Sequence, residues 1–311
     1  GPTMSTFSSS FFPVRHPADV DRLMAALKTM GADAVELEYR IPAVLWAPVK
    51  EALRQNGLAV CSLHNFCPRP PEFKRGSGDL FSLAAPDREE RNAAVRLTLQ
   101  TIERANDLEA RAVVLHGGRV DMPPATQDFQ DYYHSGRIAT DDARGFIARK
   151  LAERDRLKPR HLDALCFSLE KLLPAAERHH VRLGLENRYH YHELPGIDDF
   201  ELLFREFDGA PLGYWHDSGH AHAAETLGLG SAQDLLNRYG SQLVGCHLHD
   251  AHGLEDHLPP GCGEIDFPAL VPFLQAATLR VIELKAGTTP EAARNGAAHL
   301  ARVMTRADAH G

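Results

Sequence analysis

The chain lacks the features that would place it in several large classes of protein. Of its 311 residues only five are cysteine (Cys61, Cys67, Cys166, Cys246, Cys262), an odd number without a Cys-x-x-Cys pair. Neither a disulfide framework nor a thiolate zinc site is therefore indicated. No apolar run approaches the roughly 20 residues that a membrane span needs, and no basic stretch followed by an apolar one marks a signal peptide. Basic residues are also in deficit, with 34 Lys and Arg against 42 Asp and Glu for a formal charge of -8. That balance argues against the basic stripe of a nucleic-acid partner, although bound divalent ions would offset carboxylates locally. The expectation is a cytoplasmic protein acting on a small molecule, away from membranes, with homo-oligomerisation left open.

What the chain has instead is histidine, 18 in all, and several of them stand where apolar runs end. The densest stretch is Tyr214-Trp215-His216-Asp217-Ser218-Gly219-His220, followed by Leu243-Val244-Gly245-Cys246-His247-Leu248-His249. Apolar strands that open into Asp or His place metal-competent groups where a buried strand meets a loop. Of His247 and His249, only one is expected to share the pocket of Asp217, and His249 is assigned.

Gly1-Pro2-Thr3 before Met4 reads as a tag remnant, leaving 4–311 as one domain. Strands are expected at 4–9, 34–38, 58–63, 112–115, 182–185, 212–216, 243–248 and 280–282. Helices are expected at 17–31, 42–56, 87–108, 161–179, 197–207, 231–239, 267–277 and 290–305, with Gly31 and Gly57 as left-handed stops. Eight alternations of strand and helix predict an α/β fold, a (β/α)8 TIM barrel. Residues 119–159 lose the pattern and are read as a lid-like insertion after strand 4.

On this register His64, His116, Glu186, Asp217 with His220, His249 and Glu283 all fall at or just past strand ends, so closure brings them to one mouth. Taken singly, a histidine at a strand end is an ordinary packing residue. Their shared position makes the case. Crowded carboxylates without a cation would repel one another and resist desolvation, so one to three divalent ions (Mn, Zn, Fe or Co) are the economical partner for this nitrogen and oxygen set. His257 follows in a loop with Glu255 and Asp256, and Pro259-Pro260-Gly261 makes a rigid turn behind it. Lys74, Arg75 and the basic run 149–160 read as solvated faces.

The pieces Leu185-Glu186-Asn187, His216-Asp217-Ser218-Gly219-His220-Ala221, His247-Leu248-His249-Asp250, His257-Leu258-Pro259-Pro260-Gly261 and Ile282-Glu283 resemble the xylose-isomerase-like TIM-barrel superfamily. Its members include sugar-phosphate isomerases and epimerases and the endonuclease IV type of apurinic-site nuclease. The epimerase branch implies one metal held at Glu186, Asp217, His249 and Glu283. The two glutamates then serve as acid and base beside a carbonyl, and His220 touches the substrate. Asn187 and Lys285 are expected as further substrate contacts. The nuclease branch implies a multi-metal hydrolase or phosphodiesterase that also recruits His64, His116, His220, His257 and a carboxylate near Glu255. The segment between His249 and His257 is shorter than in the nucleases. The expectation is a metal-dependent sugar isomerase or epimerase, with the hydrolase as alternative.

Overall fold

The computed structural model describes residues 5–310; the tag-remnant assignment and Met4 lie outside them. Eight parallel strands close a barrel in the order β1 (Thr6–Ser8), β2 (Ala34–Leu37), β3 (Ala59–His64), β4 (Ala112–Leu115), β5 (Arg182–Glu186), β6 (Leu212–Asp217), β7 (Leu243–Leu248) and β10 (Leu279–Ile282), which returns to β1. The expected (β/α)8 barrel is thus formed, Phe7 sitting opposite Val35 on one side and Ile282 on the other. The remaining pair, β8 (Asp250–His252) and β9 (Glu255–Leu258), forms an antiparallel hairpin just beyond β7, in the stretch expected to be a loop.

Around the barrel run α1 (Pro17–Met30), α2 (Trp46–Gln55), α3 (Arg88–Asp107), α4 (Thr126–His134), α5 (Asp141–Leu157), α6 (Pro159–Arg178), α7 (Asp199–Glu206), α8 (Ser218–Thr226), α9 (Ala232–Tyr239) and α10 (Pro290–Ala309). Local chemistry sets their ends. Pro17 opens α1, Asp19 accepts from the Arg15 and His16 amides, and Gly31 closes the helix with φ 73°. A helix expected over 267–277 is only a 3-10 segment, Phe267–Phe273. Pro272, inside the segment, lacks the amide proton a longer helix would use.

The barrel interior changes character along its axis. Its lower part is a small apolar cluster of Cys61, Ala112, Val114, Trp215, Val244, Leu279 and Val281. Trp215 fills that space because its neighbours on β5 and β7 are Gly184 and Gly245. A Cβ at either would stand 2.9 or 2.4 Å from the indole. Above this plug the inward positions turn polar.

Residues 119–159 are mostly helical rather than patternless. α4 and α5 carry Phe129 and Ile147 into a satellite core with Tyr191 and Leu227, and Leu254 packs against it. The insertion therefore rests on the loops that follow β5, β6 and β7. Within the basic run 149–160, Arg154 is buried and bonds Asp199 at 2.7 Å, and the mostly covered Lys158 pairs with the same carboxylate at 3.1 Å. No helix among the described residues is long and apolar enough to cross a membrane.

Candidate active site

Side chains two apart on a strand share a face. Glu36 on β2, His64 on β3, Glu186 on β5, Asp217 on β6, His247 on β7 and Glu283 just past β10 therefore meet above the Trp215 plug. His247 is the hub. Its Nδ1 bonds Glu186 Oε2 through a very short contact, and its Nε2 lies 2.7 Å from Glu36 Oε1 and 3.3 Å from Glu283 Oε2. The expectation that only His249 faces the pocket is thus corrected. Residues 247 and 249 are two positions apart, so the strand period sends both rings inward. His249 Nε2 reaches Asp217 Oδ1 at 2.7 Å, and His247 Nδ1 stands 3.7 Å from Oδ2.

Asp217 owes its position to the chain on either side. Its Oδ1 accepts the His220 amide at 2.8 Å and so caps α8, a helix not anticipated in the sequence. Gly219 lies in that first turn because His249 occupies the adjoining space; a Cβ there would be 2.0 Å from the imidazole. The other carboxylate oxygen, Oδ2, is fully buried and accepts no hydrogen bond from any described residue. A buried, orphaned carboxylate oxygen is costly unless a cation meets it. The donors needed for one are at hand: Asp217, His249, His257 and Glu283 bring one atom each within 4.8 Å of one another, as do His64, His116 and Glu186, and also His220, Asp256 and His257. An imidazole and carboxylate set without thiolates suits a borderline or hard divalent ion.

The residues expected to form one metal shell are therefore placed unequally. Asp217, His249 and Glu283 fall together, joined by His257, whose Nε2 is 3.0 Å from Glu283. Glu186 meets Asp217 at His247 Nδ1, the three bringing one atom each within 4.8 Å, and its Oε1 faces away to His116 Nε2 at 2.9 Å, with His64 Nε2 3.7 Å off. Glu255 points outward, 67% exposed, and pairs with Lys285 at 3.6 Å. Asp256 is the inward carboxylate, 3.1 Å from His257 Nδ1, so Asp256 takes the place expected for Glu255. Glu255 and Asp256 face opposite ways as strand neighbours do, and His257 joins Asp256 on the inner side because its φ of 59° breaks the alternation. Lys285 is likewise at the exposed rim. Asn187 spends its amide on structure, donating to the Asp217 carbonyl at 3.1 Å and accepting the Asp217 amide at 2.7 Å. These bonds lock β5 to β6.

Several working residues were not anticipated. Glu36 accepts from Ser62 at 2.6 Å on its other oxygen. Asp79, from the loop after β3, holds His116 Nδ1 at 3.1 Å and is itself held by Arg188 at 2.9 Å. The electrostatics follow from these contacts. Burial pushes the Glu186 carboxyl up, but the neighbouring His247 charge and bonds from His116, His247 and His64 hold it well below the usual carboxylate range. Asp217 is held low in the same way by His220 and His249 against its burial. Burial opposes protonation of His64, yet Glu186 raises that imidazole to about 9, and Asp256 and Glu283 raise His257 to about 11. The mouth thus balances ionised carboxylates with imidazolium protons, which a bound cation would displace.

Ring nitrogens sort the histidines further. His64 Nδ1 donates to the Asn65 carbonyl at 2.9 Å, and His220 Nδ1 donates to the Asn187 carbonyl at 2.8 Å. With His116 held on Asp79, three rings have Nδ1 pinned outward and Nε2 turned toward the mouth, the arrangement that readies an imidazole as a ligand. His249 is the opposite case, since its Nδ1 accepts the His257 amide at 2.7 Å.

Comparison with known proteins agrees with this architecture. Residues 24–303 match the family described as xylose isomerase-like TIM barrel. A stretch of 82 residues is 32% identical to an uncharacterised protein, y4fM, of Sinorhizobium fredii, spanning 26% of this chain and 25% of that one. Among solved structures, an L-ribulose 3-epimerase superposes with TM-score 0.70 at 15% identity, covering 98% of this chain and 95% of the other. The apo form of 3-keto-D-glucoside 4-epimerase from E. coli gives 0.66 at 17% identity, over 96% and 99%. A structure of the IOLI protein with a bound zinc atom gives 0.65 at 15% identity, over 97% and 98%.

Proposed function

The chain belongs to the xylose isomerase-like TIM-barrel family, and from that premise we propose that it is a divalent-metal-dependent isomerase or epimerase of a sugar or related polyol, moving a proton at a carbon beside a carbonyl. The observation that carries this reading is the pair Glu186 and Glu283, set on opposite edges of the His247 ring, with the orphaned Asp217 Oδ2 beside them. Asp217, His249, His257 and Glu283 are the residues that would hold the ion, with Glu186 at its border. Bound there, it supplies electrophilic polarisation of a carbonyl oxygen.

The chain's own groups supply the rest. Imidazolium neighbours keep Glu186 and Glu283 ionised; one of them abstracts the proton, and the other, having taken a proton from solvent, returns it from the opposite side. His220 keeps Nε2 free toward the mouth because its Nδ1 is occupied by the Asn187 carbonyl, a nitrogen placed to accept from a substrate hydroxyl. Asp79 and Arg188 orient His116, which in turn bonds Glu186. The test is proton NMR of ketoses incubated with the protein in D2O. Deuterium entering the carbon next to the carbonyl supports the reading, and epimerisation without exchange overturns it.

One observation favours a second reading. The ligand-ready rings of His64, His116 and His220 give the mouth room for two or three ions, as a multi-metal phosphodiesterase would need. Metal counting on protein purified without chelator, together with hydrolysis of bis(p-nitrophenyl) phosphate, separates the two. One ion retained in His64→Ala and His116→Ala favours the isomerase; ions lost together with phosphodiester cleavage favour the hydrolase.

A further inference from the structure

Beside the mouth lies a cavity of about 250 Å³ walled by the loop after β5, by α5 of the insertion and by α8. It is smaller than the roughly 300–1,000 Å³ of an ordinary ligand pocket, a size that suits one ring. His220 forms part of its inner wall and also belongs to the donor group with Asp256 and His257. Anything filling the cavity thus adjoins whatever reacts at the mouth.

The lining states what kind of group fits. Tyr189 and Tyr191 contribute to the wall, and their hydroxyls are engaged elsewhere, with the Leu254 carbonyl and the Ala125 amide. Their rings offer aromatic surface. Two polar groups are unspent. The His190 imidazole forms no hydrogen bond among the described residues, only its backbone being engaged, the amide donating to the Glu193 carboxylate at 2.7 Å and the carbonyl accepting the Glu193 amide at 3.1 Å. Arg154 is 5% exposed, and its buried Nε has no partner although its terminal nitrogen bonds Asp199. A neutral imidazole both donates and accepts, and an Arg Nε–H donates. The matching group is a hydroxyl. Charge disfavours an anion: Arg154 and Lys158 are paired with Asp199 and Arg188 with Glu193, and Asp155 and Asp198 line the same space.

We propose that this cavity is a subsite for an uncharged, hydroxylated ring carried by the substrate, so that the preferred substrate is a glycosylated sugar rather than a free monosaccharide. This rests on the isomerase reading for the reaction but not for the binding. Aromatic surface takes the apolar face of the ring, while His190 and Arg154 meet its hydroxyls.

The test compares fructose with isomaltulose, a ketose carrying a glucosyl group, by deuterium incorporation in D2O. It is paired with saturation-transfer NMR of methyl α-D-glucoside, which has no carbonyl to react. Ala224→Phe fills the cavity from α8, and His190→Ala removes the free imidazole. Wild-type protein is expected to favour isomaltulose by at least about tenfold in kcat/KM. Both variants should erase that preference while leaving fructose within about twofold. Saturation transfer to the glucoside should be present in the wild type and lost in Ala224→Phe. Equal kcat/KM for the two ketoses, or a preference untouched by both variants, overturns the subsite while leaving the isomerase intact. Glucoside binding lost in Ala224→Phe without exchange in any ketose upholds the subsite and overturns the reaction. Absence of both signals overturns both.

Discussion

The two flanks of the barrel mouth use the same residue types in different ways. On the β3–β4 side, His64 and His116 have Nδ1 fixed by the Asn65 carbonyl and by Asp79, and both present Nε2 to Glu186. On the β6–β7 side, His249 accepts the His257 amide on Nδ1, and its Nε2 bonds Asp217. That flank nevertheless holds the orphaned carboxylate oxygen. One side has two prepared imidazoles against a fully bonded carboxylate; the other has one, His220, beside a carboxylate oxygen without a hydrogen bond. Histidine count alone does not locate a metal; the atom bonded to the far ring nitrogen and the unsatisfied acceptor do.

The largest effect is expected where the flanks meet. Glu186 touches His64, His116 and His247, so Glu186→Gln should lower kcat by about 10²–10⁴-fold in deuterium exchange with the fold retained by circular dichroism; an active variant would remove Glu186 from the chemistry. Breaking the β6–β7 flank alone comes next. Gly219→Ala places a Cβ into His249, and overpacking of this kind costs about 1–3 kcal/mol in urea unfolding, with loss of the ion at Asp217. The β3–β4 flank is addressed through Asp79→Asn, which frees the His116 ring. The isomerase reading expects the ion at Asp217 to be kept in this variant, and the multi-ion reading expects one beside His116 to be held about 10–100-fold more weakly, as read by metal titration.

The smallest effect is counted in protons. Glu186 raises the His64 imidazole to about 9, so that ring is protonated at neutral pH, and an ion taking it as ligand must displace the proton. In the multi-ion reading, uptake beside His64 at pH 7 should release about one proton, and none well above pH 9. Calorimetry in buffers of different ionisation enthalpy measures this. Release unchanged in His64→Ala would place the ion on the other flank.

The barrel was legible in the sequence because each strand announced itself as a short apolar run closed by a polar residue, and Asp217, His249 and Glu283 were legible for the same reason. Other parts were hidden by distance along the chain. Asp79 meets Arg188 across 109 residues, and no local pattern marks that contact. Glu36 looked like the polar half of an alternating strand, whereas closure buries it against His247. The sequence carries a signal for His247, since it stands two residues before His249 and so on the same face of the strand. Asp256 could not be told from Glu255 until the β8–β9 hairpin fixed which of them turns inward.

Crystals grown with manganese or zinc, with diffraction collected on both sides of the metal absorption edge, address the central proposition most directly. The expected result is an anomalous peak within bonding distance of Asp217 Oδ2, with Glu283 and an imidazole completing its surroundings. A peak remote from Glu186, Asp217 and Glu283, or none while the His247 network stays as it is, would contradict it.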